Sequence, residues 1–211
     1  MILIFSVAPY DWDIVVPRLR GGGYPQYILD TTAHLDNDHE ATKSKFHPLY
    51  NKILNYWFPA AEHYDVCPHW IIPDASPQGS NDPEDYTISF LITRQQQPLL
   101  LLEVKAPSDF HATWRRESVI QQLTYRLDAI GPMNRQVGRL YAIPAIGKQR
   151  RAVYVGKGKG SRDHSGHSVK GIAAVNSLRS ADAQCWNSDI TSEASWEALK
   201  GIVETIKSYN I

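Results

Sequence analysis

The stretch Leu99-Leu-Leu-Leu-Glu-Val-Lys105 constrains this chain more than any other. Four consecutive leucines leave no polar alternation, so the segment reads as a central strand covered on both faces. It nevertheless ends in two charges, Glu103 and Lys105. Side chains alternate along a strand, so these two share a face. Leaving either one unpaired in the core would cost on the order of several kcal/mol. The preceding segment, Tyr86-Thr-Ile-Ser-Phe-Leu-Ile92, does alternate: Tyr86, Ile88, Phe90 and Ile92 share one face, and Asp85, Thr87, Ser89 and Leu91 the other. The Arg94-Gln-Gln-Gln-Pro98 connection makes the two segments a hairpin. If the hairpin centres on Gln95, Asp85 lies across from Lys105 and diagonal to Glu103 on the same face. A shift of one residue would send Asp85 to the opposite face.

The rest of the chain predicts helices around such a sheet. Residues 9–45 are broken by Pro9, Pro17, Gly21-Gly22-Gly23 and Pro25 and read as irregular. Phe46, Leu49, Tyr50, Ile53, Leu54 and Trp57 then recur at helical spacing, with Pro48 in the first turn. Residues 73–85 form a long loop. A helix spans Thr113 to Ile130, closed by Gly131-Pro132, with an apolar stripe of Val119, Leu123, Leu127 and Ile130. Residues 138–143 and 151–155 read as strands, and Lys157 to His167 as a Gly-rich basic loop. Ser192 caps a last helix that turns Trp196, Leu199, Val203 and Ile206 inward. The expected architecture is α/β: one mixed sheet flanked by helices. It forms a single domain over 1–211, with a core of about residues 40–155 and an extension over 156–211.

Charge is unevenly placed. Lys+Arg and Asp+Glu are equal at 22 each, yet residues 135–170 carry nine basic side chains against Asp163 alone, whereas residues 1–85 carry twelve acidic and five basic. Such a segment suits a phosphate-binding surface, because Lys and Arg displace counterions from a polyanion. It equally suits a solvated basic face neutralised by the acidic N-terminal part. Cys67 and Cys185 have no paired spacing, and no Asn-x-Ser/Thr sequon occurs. No apolar run approaches the roughly 20 residues needed to span a bilayer. The opening Met1–Pro9 reads as a strand rather than a signal peptide. An intracellular setting, in cytoplasm or nucleus and away from any membrane, is therefore the expectation.

Two carboxylates and a lysine converging at one sheet end make a hard-oxygen site for Mg²⁺ or Mn²⁺. Such an ion polarises a phosphodiester and helps ionise a water. Lys105 would orient that water or stabilise charge growing on phosphate oxygens. The alternative is a buried Asp–Lys–Glu ion-pair cluster with no ligand.

Asp85, seventeen intervening residues and then Glu103-Val-Lys105 resemble the PD-(D/E)xK nuclease superfamily, the restriction-endonuclease-like fold. The resemblance implies metal binding by Asp85 and Glu103, with the Val104 carbonyl as a third ligand. It also implies a water-serving Lys105 and a glutamine from the following helix. The family's Gln-x-x-x-Tyr spacing points to Gln121 and Tyr125; the helical wheel favours Gln122, which flanks the apolar stripe. A literal Pro73-Asp74 keeps Asp74 in reserve for Asp85, and Glu40 is the nearest acid for the family's first helix. The implied activity is Mg²⁺-dependent phosphodiester cleavage of nucleic acid, with Arg115, Arg116, Arg150, Arg151, Lys157 and Lys159 holding the backbone. A homodimer fits that reading. A catalytically silent binding module of the same fold is the alternative. His63, Cys67, His69, His164 and His167 form no four-ligand zinc pattern. Gly156-Lys-Gly-Lys-Gly-Ser161 matches neither phosphate-loop nor dinucleotide signatures.

Overall fold

The computed structural model describes residues 23–35, 41–72, 87–133, 139–150, 154–157, 186 and 188–209. Four helices occur among them: α1 (Gln26–Thr32), α2 (His47–Trp57), α3 (Thr113–Ile130) and α4 (Glu193–Lys207). The strands are β1 (Tyr64–Ile71), β2 (Thr87–Arg94), β3 (Gln97–Lys105), β4 (Arg139–Ile146), β5 (Gln149–Arg150), β6 (Tyr154–Lys157) and β7 (Ser188–Asp189). They form one mixed sheet in the order β1-β2-β3-β4-β5-β7, with β6 also pairing β4. β1, β2 and β3 run as an antiparallel meander, and β4 lies parallel to β3 after the crossover through α3. A parallel neighbour requires such a crossover.

The leucine run behaves as its composition dictates. β3 lies inside the sheet, and every residue from Pro98 to Val104 is buried. Leu100, Leu102 and Val104 pack into a cluster with residues of α1, α2 and α4; Leu101 packs into a second cluster with Val119, Leu123, Leu127 and Ile130 of α3. A fully buried leucine contributes roughly 1.5–3 kcal/mol, so this strand anchors both layers. Past the irregularity at Leu99, the odd-numbered positions 101 and 103 face α3.

α2 has Pro48 in its first turn, where the missing N–H is no loss. α4 is capped by Ser192, whose Oγ accepts from the Ser195 N–H at 3.2 Å. The irregular reading of residues 9–45 holds a short helix, α1, whose Ile28 is buried under α2. β1 was not expected from sequence, because Pro68 and its flanking polar residues break the alternation. Its place at the sheet edge explains the proline, since an edge strand can leave one ladder donor out. The strand expected over residues 1–9, the loop over 73–85 and most of the basic loop over 157–167 lie outside the described residues.

The hairpin register differs from the one expected. The turn is the two-residue pair Gln95-Gln96, at φ 49° and 61°, flanked by Arg94 opposite Gln97. Two left-handed residues are what a type I′ hairpin requires. A bulge between Ile92 and Thr93 then adds one more residue of shift, so Phe90 pairs with Leu102. The total displacement is two residues. Face parity survives because the shift is even, but position 89 rather than 87 now falls opposite Glu103.

Candidate functional site

Glu103 is 3% exposed at the C-terminal end of β3. Its Oε2 forms an ion pair with the Arg126 guanidinium of α3, whose side chain is 1% exposed. Lys105 Nζ lies 3.5 Å from Oε1. The Ser89 backbone N–H points at Oε2 from 3.4 Å. One carboxylate thus gathers two cations and an amide from three elements: β2, β3 and α3.

The local backbone explains how the carboxylate is held here. The β2–β3 ladder ends at Phe90 and Leu102. Beyond it, the Val104 N–H donates to Ser89 Oγ at 3.0 Å, and the same hydroxyl reaches the Val104 carbonyl at 3.5 Å. A serine hydroxyl can do both, as donor and acceptor. Val104 therefore turns its carbonyl toward β2, beside the Glu103 carboxylate. On the other side, the Lys105 carbonyl accepts from the Gly147 N–H at 2.9 Å, which ties the strand end to the turn after β4.

α3 divides the glutamine question. Gln121 is exposed and Tyr125 is 51% exposed, so the Gln-x-x-x-Tyr pair points to solvent. Gln122 is half-buried, and its Oε1 has no hydrogen-bond partner among the described residues. It lies four residues before Arg126 and so shares that side of the helix. Of the two glutamines, Gln122 is on the half-buried side of α3 and Gln121 on the exposed side. Arg126 itself was missed, although a signal existed: it falls seven residues after Val119, inside the apolar stripe, where a charge needs a buried partner. Ser89 was missed because the assumed register set it across from Leu101 rather than directly opposite Glu103.

The other expected residues are dispersed. Asp85, Asp74, Glu40, Arg151 and Lys159 lie outside the described residues, as does the Lys157 side chain. Arg115 is partly exposed: its guanidinium bonds Asp109 at 2.9 Å and sits 5.1 Å from the centre of the Trp114 ring. Arg116 is a correction. It is buried and donates to the Phe110 carbonyl and, at 3.1 Å, to Thr113 Oγ1, so it braces the start of α3. Arg150 is a second correction: it is buried, and its Nε donates to Ser195 Oγ at 2.9 Å.

His47, in the first turn of α2, stacks on His69 of β1 with ring centroids 4.7 Å apart. Burial pushes its imidazole pKa down from the ordinary 6.5, and the neighbouring His69 and Lys43 act in the same direction; the Glu103 charge opposes them. Among the described residues no group of three or more His, Cys, Asp or Glu could hold a metal ion. What Glu103 and the Val104 carbonyl offer is oxygen, the donor type a hard divalent cation takes.

No family model matches the chain, and no curated protein matches it. Among solved structures it is similar to the type IIG restriction endonuclease BpuSI, at 13% identity and a TM-score of 0.37. The match covers 81% of this chain and 17% of that protein's, so the chain spans about a sixth of its length. Among the described residues no helix is long and apolar enough to cross a membrane.

Proposed function

We propose that this chain is a metal-dependent phosphodiesterase acting on nucleic acid, with its centre at Glu103 and Lys105. One observation carries the reading: a buried carboxylate and a partly buried lysine lie side by side, 3.5 Å apart, at the end of the central strand. Replacing such a group by apolar residues is often neutral or stabilising, so fold stability alone does not account for it. The order strand, strand, helix, strand, here β2, β3, α3 and β4, is also the one the PD-(D/E)xK resemblance implies.

Glu103 and the Val104 carbonyl would hold Mg²⁺ or Mn²⁺, with Asp85 as the second carboxylate. When bound, the ion would ionise a water and polarise the phosphodiester. Lys105 would face the attacked phosphate and offset its growing charge. Gln122, with its carbonyl oxygen uncommitted, would accept from the attacking water and fix its direction. Arg115 beside Trp114 would contact the phosphate backbone, and the basic segment after β4 would extend that contact through Arg151, Lys157 and Lys159.

The ion pair with Arg126 favours a second reading, a silent binding module. A guanidinium on Glu103 Oε2 already neutralises the charge a metal would use. Thermal unfolding of wild type and Glu103→Ala, with and without millimolar Mg²⁺ or Mn²⁺, separates the two. The nuclease reading expects a metal-induced rise in Tm in wild type alone, since binding to the native state stabilises by mass action. It also expects nucleic-acid cleavage that Glu103→Ala or Lys105→Ala abolishes without unfolding the chain. Cleavage that survives both substitutions would overturn the mechanism. A wild type indifferent to metal, with Glu103→Ala destabilised because it strands the buried Arg126, would favour the binding module.

A further inference from the structure

Two imidazoles meet where the backbone of β1 departs from regular strand geometry. β1 pairs with β2 on both sides of His69, with Pro68 opposite Phe90 and Trp70 opposite Ile88. Cys67 and Trp70 both pack against the cluster that includes α3, although strict alternation would put residues three apart on opposite faces. The inversion falls at His69, whose φ of 50° is a left-handed conformation that a residue with a Cβ adopts at a cost. The His69 ring lies instead against His47 of α2, with ring centroids 4.7 Å apart and planes tilted by 56°.

The pair has the spacing and the chemistry of two ligands on one ion. With metal–nitrogen bonds of roughly 2.0–2.1 Å, two imidazoles sharing an ion hold their ring centres about 4.5–5.2 Å apart for right-angle to tetrahedral geometry. The observed 4.7 Å falls in that range. His47 is held in place by Phe90, whose ring meets it edge-on at 5.4 Å. Its Nε2 is buried and has no hydrogen-bond partner among the described residues. In a neutral imidazole such a nitrogen can present a lone pair. Burial lowers the His47 pKa and so favours the neutral form that binds metal. His69 is exposed, which gives an ion a way in from solvent.

We propose that His47 and His69 form a binding site for a borderline divalent transition ion of the Zn²⁺ or Ni²⁺ class, joining the start of α2 to the edge strand β1. Imidazole nitrogen suits these ions, whereas Mg²⁺ prefers oxygen. The two rings supply two ligand positions and water the rest; among the described residues no group of three or more His, Cys, Asp or Glu could hold a metal ion. Of the charges acting on His47, Glu103 favours a cation there and Lys43 opposes it. The site does not rest on the nuclease reading, because neither ligand belongs to the Glu103 centre.

The test is thermal unfolding of the untagged full chain near neutral pH, titrated with Zn²⁺ or Ni²⁺. Wild type should show a saturable rise in Tm, since an ion bound to the native state stabilises it by mass action. His47→Gln and His69→Asn should each lose that rise; asparagine tolerates the left-handed backbone and so preserves the strand. The metal-free Tm of each variant is its own reference, which separates lost binding from lost stability. Glu103→Ala should keep the rise, and Mg²⁺ should give none that depends on either histidine. No saturable rise in wild type with either ion would overturn the proposal. So would a rise that persists in either histidine variant, or one that Glu103→Ala abolishes.

Discussion

Removing Arg126 tests the site where its energetics are sharpest. In Arg126→Met the Glu103 carboxylate stays at 4% side-chain exposure but loses its closest cation. Lys105 at 3.5 Å and the Ser89 amide at 3.4 Å remain. Stripping one partner from a buried pair costs roughly 3–5 kcal/mol, and the two surviving contacts place this case near the lower end. A loss of about 3 kcal/mol is a large share of the 5–15 kcal/mol by which domains are stable. For a chain of this length it corresponds to a fall in Tm of roughly 6–12 °C. The assay is urea unfolding, read as a lower midpoint at unchanged slope. The double variant Glu103→Leu/Arg126→Met should recover most of the loss, because no buried charge is then stranded. If Arg126→Met costs less than about 1 kcal/mol, or if the double variant loses the sum of the two single changes, the carboxylate is solvated and the buried-pair reasoning fails.

The remaining predictions concern other parts of the fold. Gln121→Ala should change neither stability nor cleavage, whereas Gln122→Leu should keep or raise stability while reducing cleavage; a loss of activity from Gln121 alone would reverse the assignment. The His47 pKa is depressed in the fold, so the unfolded chain binds its proton first as pH falls. The stability gained from neutral His47 is thus complete above about pH 6.5 and declines as pH drops below it. A Tm series from roughly pH 8 to 5 should show that decline in wild type and a shallower one in His47→Gln; parallel profiles would refute it. Gly147→Ala should destabilise by about 1–3 kcal/mol. Gly147 sits at φ 58°, and an added Cβ would lie 3.1 Å from Pro107 Cγ; an unchanged urea midpoint would show that the turn relaxes freely.

Much of the architecture was written in local pattern. The leucine run had to be an inner strand, because no other placement covers both its faces. The stripe Val119, Leu123, Leu127 and Ile130 fixed α3, and Ser192 fixed the start of α4; in each case a few neighbouring residues carry the whole signal. The pairing of Glu103 with Lys105 on one face follows from strand geometry alone.

What pattern could not decide was everything that depends on which element lies opposite. The hairpin register turned on a two-residue turn and a bulge at Ile92/Thr93, and no local residue preference announces a bulge that moves the pairing by one. That shift put Ser89 beside Glu103. Arg126 reaches Glu103 only because α3 crosses back over β3, a contact spanning 23 positions that no local signal encodes. The same limit applies to the basic residues. Arg115, Arg116 and Arg150 look alike in a charge count, yet one is partly exposed and two are buried. Sequence determined which segments are helix or strand and where charges interrupt the core, because hydrophobic periodicity is a local property. Only the tertiary structure decided which charges meet, because that depends on the three-dimensional approach of segments far apart in the chain.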